Sequence, residues 1–136
     1  MVARILAQNK KEHEAVFYTH GHEDHVGLAE YIAEEVPQYM SEGTKGLLEI
    51  KYDVIRQAAD LKAHELLARE CDPQERSDAL RHREEAENKC RLVDRMRVWK
   101  HKPSDVVGES ISIGDIRVTP FSNCHSILHK DADAEL

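Results

Sequence analysis

The sequence predicts an α/β fold, in which helices pack on mixed strands, and three observations support this class. Residues 15–19 are apolar, β-branched or aromatic, as is typical of a buried strand. Helical periodicity then dominates residues 42–99. Finally, two short β-branched runs flank Gly114-Asp115, which predicts a two-residue β-hairpin connection.

The composition fits a small domain with few aromatic residues. The chain has 136 residues, of which 40% are hydrophobic and 5% aromatic, so we expect one domain. The net charge of -7 argues against a large basic nucleic-acid surface, because phosphate binding needs clustered lysine and arginine. No stretch approaches the roughly 20 apolar residues of a membrane span. A cytoplasmic location is expected, because the first ten residues lack a signal-peptide core and the three cysteines are widely spaced.

Short elements are predicted on both sides of the strand at residues 15–19. Residues 1–14 have one small apolar group and predict a helical turn or two before the strand. Residues 28–35 predict a short helix with Leu28, Ile32 and Val36 facing inward, ended by Pro37. Residues 38–40 predict a short strand.

Two long helices are predicted next. Ser41 is suited to cap a helix over residues 42–70. Its inward stripe is predicted to comprise Leu47, Leu48, Ile55, Ala59, Ala63, Leu66 and Leu67, with Val54 and Ala58 alongside. Asp72 and Pro73 mark the start of a second helix that extends to about Trp99. Its apolar seam is narrow (Ala86, Cys90, Val93 and Met96), which predicts a largely solvated helix.

The most informative stretch follows the first strand directly. It contains His20, His22, Asp24 and His25, and helical periodicity resumes at Gly27. Imidazole nitrogens and carboxylate oxygens suit zinc and similar divalent ions. Since alternate residues of an extended segment point the same way, His20 and His22 can bind one ion. Asp24 and His25, at the turn into the helix, can face a second ion, so the stretch predicts a metal site built for two.

The pattern His20-x-His22-x-Asp24-His25, after a strand and before a glycine-led helix, resembles the signature of the metallo-β-lactamase-fold hydrolases. The sequence of residues 19–28 most resembles that of the nuclease-type, ribonuclease J-like branch. The resemblance implies part of an αββα sandwich over residues 1–136. Its helical segment, about residues 42–99, would be inserted between the metal-motif strand and the C-terminal hairpin. We expect a partial domain, because the family's further strands have no counterpart in this sequence.

The resemblance also assigns roles to site residues. A catalytic zinc site has three protein ligands, and His125 is the candidate for the third, because it follows the hairpin and precedes a serine as in the family. Asp24 is expected both to bind metal and to orient the nucleophile, as the catalytic residue. The family completes its second site with a carboxylate and a histidine further downstream. Asp131 and Asp133 lie too close to His125 to take that role, so the second site is expected to be incomplete.

The function implied by the resemblance is hydrolysis by metal-activated water, with one or two zinc ions or another divalent metal as cofactor. The substrate class it suggests is a phosphodiester, most plausibly RNA, although relatives also cut thioesters, lactams and sulfate esters. Two alternatives stay open: a catalytically silent metal-binding remnant, and a helical protein-interaction module. Unpaired sheet edges are expected to favour self-association or binding of a complementing chain.

Overall fold

A computed structural model describes residues 2–6, 14–22, 26–102, 104 and 106–121, with the backbone alone for residues 2–6. These residues form two long helices and six strands in a mixed α/β arrangement, which confirms the predicted class. The αββα sandwich stays a prediction. The elements in chain order are β1 (Val2–Leu6), β2 (Glu14–Tyr18), β3 (Gln38–Ser41), α1 (Glu42–Leu67), α2 (Pro73–Arg95), β4 (Arg97–Trp99), β5 (Ile111–Ile113) and β6 (Ile116–Val118).

The chain divides into two compact units. The first comprises Met1–Gly46 and Met96–Leu136 and contains the strands. The second, Leu47–Arg95, contains most of both helices. The assignment of residues 1–136 to a single domain stays a prediction.

Strand β2 lies inside a four-stranded sheet with the order β1-β2-β3-β4. Strand β1 is antiparallel to β2, whereas β2, β3 and β4 run parallel. Because the carboxyl ends of parallel strands meet at one edge of a sheet, ligands of open α/β sheets bind there. His20 and His22 follow the carboxyl end of β2 directly, so the fold places them at this edge.

Two strands were not predicted from the sequence. Residues 2–6 form β1 instead of a helical turn, and pair along the full length of β2 from Val2–Tyr18 to Leu6–Glu14. Helix α2 ends at Arg95 rather than Trp99, and the following residues pair with β3 as strand β4. Both predictions were wrong for the same reason, because hydrogen bonding to a neighbouring strand overrides the local periodicity of a short segment.

An apolar cluster packs one face of the sheet against the C-terminal hairpin. Phe17 on β2 stacks on Tyr39 of β3, with ring centroids 5.0 Å apart, and on Trp99 of β4 at 6.3 Å. Ile113 of β5 is buried in the same cluster, with Ile111 and Val118 packed against it. The hairpin turn is the predicted one, and Gly114 occupies the left-handed region with φ of 57°, which glycine adopts without strain.

Both predicted helix starts are confirmed. The Ser41 hydroxyl accepts a hydrogen bond from the Thr44 amide at 3.1 Å, which caps α1. The Asp72 carboxylate accepts one from the Gln74 amide at 3.2 Å at the start of α2. Within the second unit, Arg83 Nε lies 3.1 Å from Asp60 Oδ1, so this ion pair links the two helices.

The inward stripe of α1 is narrower than predicted. Leu48, Ala63 and Leu66 are buried as expected, together with Tyr52. Three residues assigned to the stripe are exposed instead, Leu47, Ile55 and Leu67, as are Val54 and Ala58 alongside it. On α2 the predicted seam holds, with Ala86 and Val93 buried and Cys90 half-buried. Met96, also assigned to the seam, is buried but follows the end of the helix. A long helix that buries a narrow seam leaves its other apolar residues in solvent, and periodicity cannot show the width of that seam.

Candidate metal centre

Two histidines lie side by side at the end of β2. The ring of His20 is 5% exposed, whereas that of His22 is open to solvent. Their ring centroids are 4.5 Å apart, and the rings meet edge to face at 86°. The structure therefore brings together the two residues expected to bind a single ion.

A hydroxyl group contacts one nitrogen of the buried ring. Thr19 Oγ1 lies 3.0 Å from His20 Nδ1, and the Nε2 atom of His20 is itself buried. The neutral tautomer that donates Nδ1–H to Thr19 keeps a lone pair on Nε2, and histidines that bind metals commonly donate their other ring N–H in this way. Adjacent imidazoles and a contact of this kind fit a divalent metal ion.

The segment after the motif makes only a short helical element. The Val26 amide donates to the His22 carbonyl at 3.1 Å, and a 3₁₀ helix follows at Ala29–Tyr31. The predicted helix over residues 28–35 is therefore wrong in extent. Leu28, expected to face inward, is largely exposed, whereas Val26 and Ala29 are buried. Residues 34–36 turn towards Pro37 and β3, so no further turn of helix can form.

The other predicted site residues are Asp24, His25 and His125, and all three lie outside the described residues. Within the described ranges, no three histidine, cysteine, aspartate or glutamate side chains converge on one point. Of the predicted site residues, the described part of the chain contains His20 and His22. The roles of Asp24, His25 and His125 stay predictions.

A buried hydrogen-bond chain lies beside the motif and was missed by the sequence reasoning. The Tyr18 hydroxyl donates to Gln38 Oε1 at 2.6 Å, and Gln38 Nε2 donates to the Ala29 carbonyl at 3.3 Å. Gln38 lies in a strand whose neighbours Tyr39 and Met40 are buried apolar residues. The sequence signal for these hydrogen bonds is a glutamine in an otherwise apolar strand, because buried amides are normally hydrogen-bonded.

Burial also changes the acidity of Tyr18. Loss of solvent around the hydroxyl disfavours the phenolate and raises the pKa of Tyr18 to about 12. The unfolded chain loses this proton near pH 10, so it binds fewer protons than the folded chain between pH 10 and about 12. The free energy of unfolding should therefore fall across this interval, by up to about 1.4 kcal/mol per pH unit for one proton.

Urea unfolding of the metal-free protein at a series of alkaline pH values checks this prediction. The Tyr18→Phe variant provides the comparison, because other groups titrate in the same interval and affect both proteins alike. We expect a steeper loss of stability in the wild type than in the variant. Parallel pH profiles would contradict the raised pKa.

One comparison with known proteins gives a match. Residues 3–39 match the family model of the metallo-beta-lactamase superfamily. The matched part includes β2, the two described histidines of the motif and the start of β3. It supports a fold of the metal-dependent hydrolase type for this part of the chain. No curated protein and no solved structure gave a match.

The described helices also bear on membrane association. Neither α1 nor α2 has a stretch that is both long and apolar enough to cross a bilayer. Both helices carry charged residues throughout, including the pairs of Arg56 with Asp53 and Asp60.

Proposed function

We propose that this chain carries the metal-binding part of a metal-dependent hydrolase, with zinc as its ion and a phosphodiester as its substrate. The observation that carries the proposal is the contact between His20 and His22, whose rings are 4.5 Å apart at the end of β2. The match of residues 3–39 to the metallo-beta-lactamase superfamily supports it.

Each site residue has a proposed part in the chemistry. When bound, a divalent metal ion lowers the pKa of a coordinated water to about 7 and so supplies hydroxide at neutral pH. His20 and His22 would hold the first ion, with His125 as the third ligand. Thr19 would keep the His20 ring in the tautomer that binds metal, through its contact with Nδ1. Asp24 would orient the attacking water and, with His25, hold a second ion.

The choice of RNA rests on the resemblance of residues 19–28 to the ribonuclease J-like branch. The net charge of -7 indicates that backbone binding would need local basic groups rather than the overall field of the protein. The proposed substrate class is therefore the phosphodiester, and RNA is one member of it.

Removal and restoration of metal test the proposal. We expect the purified protein to contain zinc by mass spectrometry and to hydrolyse bis(p-nitrophenyl) phosphate. Dialysis against a chelator should reduce hydrolysis to the level of the blank, and added zinc or manganese should restore it. A labelled RNA, a lactam and a thioester, assayed in parallel, identify the bond that is cut. The His22→Ala variant, purified by the same procedure, controls for contaminating nucleases.

The alternatives predict different outcomes. A silent metal-binding remnant would contain metal that depends on His20 and His22 but would hydrolyse none of these substrates. A helical interaction module would contain no metal above the level of the His22→Ala variant. Either result would contradict hydrolysis by this chain.

Association with another chain is a further part of the proposal. Strands β1 and β4 are at the two edges of the described sheet, and each pairs with one neighbour in the described residues. Backbone groups on such edges can pair with a second copy or with a complementing chain. A concentration-dependent mass in light scattering would support this, and a monodisperse monomer at high concentration would contradict it.

A further inference from the structure

Gln38 is a buried polar residue at the start of β3. Its side chain is 6% exposed, and both ends of the amide are used: Oε1 accepts from the Tyr18 hydroxyl, and Nε2 donates to the Ala29 carbonyl. Tyr18 is 2% exposed and Ala29 is equally buried. The three groups therefore form a hydrogen-bond chain that solvent does not reach.

The hydrogen bonds of Gln38 join the two ends of the metal motif. Tyr18 is the last residue of β2, immediately before Thr19 and His20. Ala29 begins the 3₁₀ helix that follows the motif. Between them, the Val26 amide is bonded to the His22 carbonyl at 3.1 Å. The Gln38 side chain is thus bonded both to β2, which the two histidines follow, and to the segment after the motif.

Packing alone does not require a glutamine here. The neighbouring buried positions on β2 and β3, Val16 and Met40, are apolar. Burying an amide costs free energy that its hydrogen bonds only roughly offset, so an apolar pair in place of both Gln38 and Tyr18 would be about as stable. An apolar residue at position 38 alone would leave the buried Tyr18 hydroxyl without this acceptor. What a satisfied polar group adds is a fixed geometry, because its partners must keep their distances and directions.

We propose that Gln38 is a positioning residue for the metal site, and that Tyr18 orients its amide. This inference rests on the proposed function, since it requires that the motif binds a metal ion. Gln38 makes no contact with the ion in this proposal. It fixes the spacing between the end of β2 and the segment after the motif, and so holds His20 and His22, which lie between these two points, in position for one ion. Loss of a group that hydrogen-bonds a metal ligand directly typically costs 10-fold to 100-fold in metal affinity, and Gln38 acts one residue further away, so we expect a loss at the lower end of this range.

The test compares three variants of the full chain. Gln38→Met removes both hydrogen bonds and keeps the volume, whereas Tyr18→Phe removes the bond to the hydroxyl alone. Thr44→Val is the matched control, because Thr44 is a fully buried polar residue of the same unit whose hydroxyl accepts from Ser41 Oγ at 2.8 Å. Zinc affinity is measured by competition with a chromophoric chelator. The visible spectrum of the cobalt(II) form reports the ligand geometry, and thermal melting in chelator reports the stability of the metal-free fold.

We expect Gln38→Met to weaken zinc binding by about 10-fold and to change the cobalt spectrum. Tyr18→Phe should have a smaller effect in the same direction. Thr44→Val should lower the melting temperature but leave affinity and spectrum as in the wild type. This pattern separates positioning from general destabilisation.

Other outcomes would overturn the proposal. If Gln38→Met affects affinity no more than Thr44→Val, Gln38 has only a structural role, while zinc bound through His20 and His22 would leave the proposed function intact. If Gln38→Met does not fold, Tyr18→Phe decides, and an unchanged affinity and cobalt spectrum overturn the proposal. If the wild type binds no zinc, the proposed function itself fails.

Discussion

Replacing His22 with alanine is expected to lower the zinc affinity of this chain by more than about 100-fold. Loss of a group that hydrogen-bonds a metal ligand lowers metal affinity by up to about 100-fold, and loss of a ligand itself should lower it further. His22 is exposed at the surface and its ring lies against that of His20, so truncation should remove a ligand without opening a cavity. The metal-free fold should therefore keep its stability within about 0.5 kcal/mol.

Titration with zinc and thermal melting measure the two effects separately. In the wild type, zinc at 100 times its dissociation constant should raise the free energy of unfolding by about 2.7 kcal/mol, and His22→Ala should lose this gain. His20→Ala should lose it as well, with some loss of metal-free stability because His20 is buried. His64→Ala and His82→Ala, which alter exposed histidines on α1 and α2, are the controls. Equal zinc binding by His22→Ala and His82→Ala would contradict the proposed site.

Replacing Phe17 with alanine is expected to destabilise the fold by about 3–5 kcal/mol. Phe17 is 6% exposed and contacts Tyr39 and Trp99, with centroid distances of 5.0 Å and 6.3 Å. Truncation would leave a cavity under the β5–β6 hairpin and remove both ring contacts. Because small domains have a total stability of about 5–15 kcal/mol, this change removes a large part of it.

Urea unfolding of the metal-free protein measures this effect. Phe121→Ala is the matched control, since Phe121 is 68% exposed and its loss should cost less than about 0.5 kcal/mol. Comparable losses in the two variants would show that the stacked cluster does not hold the sheet together. A large loss confined to Phe17→Ala would support the cluster as the core of the first unit.

Local chemistry made several elements predictable. Ser41 and Asp72 cap helices through hydrogen bonds to residues close in sequence, and Gly114 permits a turn through its own φ. Each effect depends on a few consecutive residues, so the sequence contains all the information it needs. Strand β2 was predictable for a related reason, because four consecutive residues, 15–18, are apolar or aromatic. All four are buried in the structure.

Other elements depended on partners far away in the chain. Strand β4 exists because residues 97–99 pair with residues 39–41, and β1 because residues 2–6 pair with residues 14–18. The width of the α1 seam likewise depends on what covers the helix. Without those partners, the periodicity of Val2, Ile5 and Leu6 is compatible with a helix.

The sequence by itself determined the α/β class, the position of the metal motif after β2 and the chemical nature of its side chains. The alternation of an extended segment also predicted that His20 and His22 share a side. Only the tertiary structure decided that one ring is buried and the other exposed, with 4.5 Å between their centroids. It alone revealed that Gln38 bonds to Tyr18 and Ala29 across the motif. The physical reason is that burial and long-range hydrogen bonds depend on which segments meet, whereas the identity of a ligand atom does not.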